Sequence, residues 1–103
     1  MRFYPDLYIG DKVEHPEKIL KKIKIPKKMP DLFVIALSQS PVDQLEIRST
    51  KDLGKNYYAS TDPVIVGIAE DYEDAVNVVK RIAEDCFLKR GDCRLKDFLS
   101  ERI

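Results

Sequence analysis

Tryptophan is absent from this 103-residue chain, histidine occurs once as His15, and cysteine twice as Cys86 and Cys93. Two thiols outside any CxxC pair cannot fill a four-ligand zinc site by themselves. No H-x-x-x-H spacing and no calcium-loop spacing occurs. The four glycines, Gly10, Gly54, Gly67 and Gly91, stand isolated. There is therefore no GxxxxGK[ST], no GxGxxG and no G-x-S-x-G. This argues against nucleotide hydrolysis and dinucleotide binding by the common routes and excludes an ordinary α/β-hydrolase. No cofactor and no metal is expected.

A charge excess is missing too. The chain carries 18 basic and 18 acidic residues, so its net charge is zero with His15 neutral. A dedicated nucleic-acid binder gains affinity by neutralising phosphates and carries a positive excess, so composition argues against that role. Copies of a neutral protein repel each other weakly, which leaves self-association open. No segment approaches 18 continuous apolar residues, and MRFYPDLYIG holds no apolar run of signal-peptide length. The expectation is a protein of the cytoplasm with reduced cysteines and no membrane contact.

The chain does have enough apolar residues, 44%, for one core. A domain of this length buries roughly two thirds of its unfolded surface and needs no disulfide or metal to fold. Residues 6–10 read as a short strand ended by Gly10 and Asp11. Residues 16–25 read as a helix, with Pro16 at its first position, a stripe of Ile19, Leu20 and Ile23, and Pro26 stopping it. Residues 32–37 and 63–69 are continuous apolar runs, short and partly β-branched, which suits central strands covered on both faces. Residues 44–49 alternate, with Leu45 and Ile47 on one side and Gln44, Glu46 and Arg48 on the other, as in a strand with a wet face or at a sheet edge. Residues 50–58 suggest a turn through a short helical piece.

Residues 71–90 give the clearest helix, with Tyr72, Ala75, Val76, Val79, Ile82, Ala83, Cys86 and Phe87 at helical spacing and Gly91 as its end. A last helix over 93–101, capped by Asp92, would bury Leu95, Phe98 and Leu99. The order predicts a single small α/β domain over residues 1–103. It has two or three layers, with a mixed sheet of about four strands and helices packed on it. The helix over 16–25 forms a right-handed crossover if the strands it joins are parallel.

Charge is unevenly spread. From Lys12 to Lys28 there are seven lysines against Glu14 and Glu17, whereas residues 31–103 are net negative by four. Lys18, Lys21, Lys22, Lys24, Lys27 and Lys28 form a candidate contact surface for a protein, for a second copy or, weakly, for nucleic acid. The plainer reading is a solvated helix face, since the segment has no arginine fork and no interleaved aromatics. Tyr57 and Tyr58 are candidate interface anchors, because one of two adjacent residues in extended chain faces outward; they can equally cover a sheet edge.

A ligand site requires polar groups on one rim of the sheet. If the two apolar strands are parallel neighbours, Ser38, Gln39 and Ser40 meet Glu70 and Asp71 at their carboxyl ends. The alternative is local: Glu70 or Asp71 caps the following helix, and Ser40 leads into a turn at Pro41. His15 reads as a helix-start residue, and Cys86 as part of the core. Cys93, in the first turn of the last helix, has a favoured thiolate but no histidine near it in sequence.

No constellation names an activity, and whether the chain is an enzyme stays open. The leading expectation is a noncatalytic binding or regulatory module acting through protein contacts or self-association. The alternative is a small enzyme or ligand-binding protein using the rim of residues 38–40 with Glu70 and Asp71, around a pocket of at least ~300 Å³. A weak nucleic-acid contact through residues 12–28 comes third.

Overall fold

The structure, a computed structural model, describes residues 2–23, 30–51 and 62–101. In chain order its elements are β1 (Arg2–Ile9), α1 (Pro16–Ile23), β2 (Phe33–Leu37), β3 (Leu45–Ser49), β4 (Val64–Ala69), α2 (Tyr72–Arg90) and α3 (Leu95–Ser100). The strands make one sheet in the order β1-β4-β2-β3. β1 is parallel to β4, while β2 is antiparallel to both of its neighbours. This is a small single-domain α/β fold, a mixed four-stranded sheet with helices packed on it.

Both apolar runs lie at the centre of the sheet. β4 is buried at every residue, and Val34, Ile35 and Ala36 of β2 are buried beside it. Strands covered on both faces have no wet side, which is why neither alternates with polar residues. α1 turns Ile19, Leu20 and Ile23 onto one face, against Val34, Ala36, Ile65 and Ile68. α2 and α3 cover the other, where Ala75, Val78, Ile82, Cys86, Leu95, Phe98 and Leu99 meet Tyr4, Ile35, Val64 and Val66. The result has three layers. β3, with its polar Glu46 and Arg48, is an edge strand.

β4 carries a bulge that sets which residues face which helix. Against β2, Ile35 pairs with Gly67 and Ala36 with Ile65, so Val66 is the extra residue. Ile65 and Ile68, three apart, then share the α1 face, and Val66 packs with Ile35 on the α2 face. Gly67 lies in a close approach there: a Cβ on it would sit 3.0 Å from Val78 Cγ1 and 3.2 Å from the Tyr8 carbonyl oxygen, so a side chain would make both neighbours give way slightly.

Several expectations need correction. The first strand begins at Arg2, not at residue 6: Arg2 and Phe3 pair with Val64 and Ile65, and Tyr4, the first residue of the irregular stretch between Phe3 and Tyr8, is buried in the core. β1 and β2 run in opposite directions with β4 between them, so α1 does not make a right-handed parallel crossover. The buried stripe of α2 is Ala75, Val78, Ile82 and Cys86; Tyr72 and Phe87 are exposed, since the helix touches the sheet along a narrower face than the apolar residues span. The last helix starts at Leu95 rather than residue 93, with Arg94 at the cap position and no side-chain cap. Thr50 and Lys51 form a turn, and the rest of the helical piece expected over 50–58 lies outside the described residues.

Candidate functional site

The carboxyl ends of parallel strands are where ligands of open α/β sheets gather, and here that rim belongs to β1 and β4. It is occupied by the protein's own side chains. Asp71, in extended backbone ahead of α2, accepts from the Asp74 N–H at 2.8 Å and so caps the helix. Asp74, 1% exposed, turns back and accepts from the backbone N–H of Glu70 at 3.0 Å and of Lys12 at 3.4 Å. Lys12 Nζ stands 3.1 Å from Asp71 and 3.8 Å from Glu73. The Asp74 N–H first, then the Lys12 ammonium, hold the Asp71 carboxyl below its ordinary value; the same bond to Asp71 raises the Lys12 pKa. Arg81 donates to the Ile9 carbonyl and faces Asp11 at 3.9 Å. The positive end of α2 thus meets carboxylates of its own chain, which take the place an anion would need.

Ser38, Gln39 and Ser40 lie at the other end of the sheet. Pairing of Phe33 with Ala69 puts the start of β2 beside the end of β4, so the five residues of β2 separate Ser38 from Glu70 and Asp71. The rim expected from a parallel arrangement is not formed. Ser38 Oγ accepts from the Ser40 N–H at 3.0 Å and donates to Glu46 at 3.4 Å, and Ser40 Oγ accepts from Val42 N–H at 3.3 Å. The Ser40 carbonyl takes Lys96 Nζ at 2.7 Å, and Gln44 Oε1 accepts the Leu95 N–H at 2.5 Å. Both serines therefore build the turn that docks α3; Gln39 is exposed beside them.

Lys18, Lys21 and Lys22 are exposed on the outer side of α1. Lys24, Lys27, Lys28, Tyr57 and Tyr58 lie outside the described residues. His15 is exposed at a φ of 52° and starts α1 through its carbonyl, which accepts from the N–H groups of Lys18 and Ile19. Cys86 is buried and its Sγ lies 3.3 Å from the Asp92 carbonyl oxygen, with burial pushing its thiol pKa up. Cys93 is exposed. Among the described residues, no group of three or more His, Cys, Asp or Glu could hold a metal ion, and no helix is long and apolar enough to cross a membrane.

The hollows of the surface are open. One of about 550 Å³ runs between Pro5 and Leu7 of β1 and Pro16 and Leu20 of α1. One of about 280 Å³ holds Glu70 with Phe33, Ser49 and Lys51, without Asp71 or either serine of the turn. A third, about 430 Å³ and lined mainly by apolar groups, is bordered by Ala83, Glu84, Phe87, Leu88 and Cys93. Phe87 and Leu88 beside it are 60% and 81% exposed. The sequence signal for them was the helical stripe, which counted Phe87 as core and left Leu88 out. Comparison with known proteins finds no matching family model, no similar curated protein and no similar solved structure.

Proposed function

We propose that this protein is a noncatalytic binding or regulatory module that acts through protein contacts, self-association foremost. The observation that carries the reading is the pair of adjacent large apolar side chains, Phe87 and Leu88, standing on the surface beside an open apolar hollow. Large apolar groups grouped on a surface favour contact with another protein surface. Zero net charge removes the repulsion that would keep copies apart. Of the five polar residues that the ligand-rim alternative needs, Ser38 and Ser40 are held in a turn and Asp71 in a helix cap.

Light scattering coupled to size exclusion, run from micromolar to millimolar protein, tests it. The expected outcome is a mass that rises above one chain as concentration increases. A single-chain mass throughout, together with identical protein capture from cell extract by the wild type and Leu88→Glu, would overturn it.

A further inference from the structure

The two edges of the sheet are built differently. On β1, Pro5 lacks an N–H, and four residues between Phe3 and Tyr8 stand against one in β4, so the strand bends out of register. These are devices that stop an edge from pairing with another chain. β3 has neither the proline nor the irregular register, and only its shortness and the charges of Glu46 and Arg48 guard it. Its five residues contain no proline, and its pairing with β2 is regular from Phe33 with Ser49 to Leu37 with Leu45.

The hydrogen bonds at both ends of β3 tell which backbone groups point outward. Thr50 N–H donates to the Leu32 carbonyl and Ser38 N–H to the Gln44 carbonyl. Antiparallel pairs alternate between bonded and non-bonded, so Glu46 and Arg48 bond to β2, while Leu45, Ile47 and Ser49 aim their N–H and C=O groups at the open edge. Among the described residues nothing pairs with them there.

We propose that this edge receives the β3 strand of a second copy, antiparallel and centred on Ile47, joining two sheets into one across a two-fold axis. The inference rests on the self-association reading above and assigns it to the β3 edge rather than to the Phe87 and Leu88 surface of α2. Ile47 would face Ile47 of the other copy as a bonded pair, and Leu45 would face Ser49, again bonded, so every outward main-chain group in the strand finds a partner. In the non-bonded positions between them, Glu46 meets Arg48 of the other copy and Arg48 meets Glu46. Non-bonded pairs bring side chains closest, so opposite charges fall where they act most strongly. The side chains of Glu46 and Arg48 are 20% and 46% exposed and already lie 3.6 Å apart along the strand, on the sheet face away from α2. Centring the pair on residue 46 would set Glu46 against itself, and centring it on residue 48 would set Arg48 against itself. The order of charges therefore selects both the partner, an identical strand with two-fold symmetry, and the register.

The test is sedimentation equilibrium on the wild type, Arg48→Glu, Glu46→Arg and an equimolar mixture of the two variants, with circular dichroism to show that each is folded. Each variant alone sets like charges opposite each other, and its dimer Kd should rise about tenfold or more. The mixture sets opposite charges across the seam again and should recover dimer as a variant–variant pair. Hydrogen exchange gives a second readout: on dimerisation the amides of Leu45, Ile47 and Ser49 should slow, while those of Glu46 and Arg48, already bonded within the chain, should not change. A wild type that is monomeric at every concentration overturns this inference and removes the self-association arm of the proposed function. A wild-type dimer that survives both charge variants, and is broken instead by Leu88→Glu, overturns the β3 seam and leaves the broader reading standing.

Discussion

Gly10 has no side chain because Asp74 stands where one would go. A Cβ there would lie 2.0 Å from Asp74 Oδ2, and Gly10 has no left-handed backbone that would otherwise call for glycine. The buried carboxylate in that space satisfies the N–H groups of Glu70 and Lys12 and ties the end of β1 to the start of α2. Gly10→Ala has to expel it and leave those donors without an acceptor, a loss of about 1–3 kcal/mol. Asp74→Ala should cost a similar amount. The decisive measurement is the double-mutant cycle by urea unfolding. With Asp74 already removed, Gly10→Ala should cost little, because the clash is gone; additive losses would show that the two residues act separately.

Carboxylates hold the start of α2 and the approach to α3, and this makes both places acid-sensitive. Asp71 caps α2 at its start, and Gly91 ends it in the left-handed conformation at a φ of 76°. Asp92 then accepts the Arg94 N–H and the Arg90 guanidinium at the approach to α3. The Arg94 N–H, and after it Arg90, hold the Asp92 carboxyl below its ordinary value, as the Asp74 N–H does for Asp71. A carboxyl with a lowered folded pKa favours the folded state fully above the ordinary value of 3.8, and that contribution is lost as pH falls below it toward the folded values. The melting temperature should therefore drop as pH is lowered through this window. Asp71→Asn with Asp92→Asn keeps a capping group at Asp71 and removes both titrations, so its melting temperature should fall less over the same range. Equal falls would show that other carboxyls carry the acid response.

At the scale of the molecule, the two cores are not independent. Ile35 and Val66 belong to the α2 side, while Val34, Ala36, Ile65 and Ile68 belong to the α1 side, yet all come from β2 and β4. Neither face can open without disturbing strands that hold the other, so unfolding should be one cooperative transition. Cys86, fully buried on α2, reports on it. In a urea series, its reaction with a thiol reagent should follow the loss of far-ultraviolet circular dichroism, with Cys93 reacting in the native protein. Labelling of Cys86 at lower urea than the dichroism transition would show α2 leaving the sheet first. The same central pair was legible beforehand, since two uninterrupted apolar runs have to be covered on both faces. The candidate ligand rim was not, because it depended on the direction of one run relative to the other.

Local chemistry, then, determined the type of each described strand and helix, though not every boundary. Apolar runs of strand length, the alternation at Glu46 to Arg48, the proline starting α1 and the glycine ending α2 act on near neighbours, and those are present in any sequence. The tertiary structure alone decided that β2 runs against β4, that Val66 bulges, that Phe87 stays outside the contact face and that Asp74 fills the space Gly10 leaves. Each of these depends on groups brought together from far along the chain, whose fit is set by packing and has no trace in the spacing of residues.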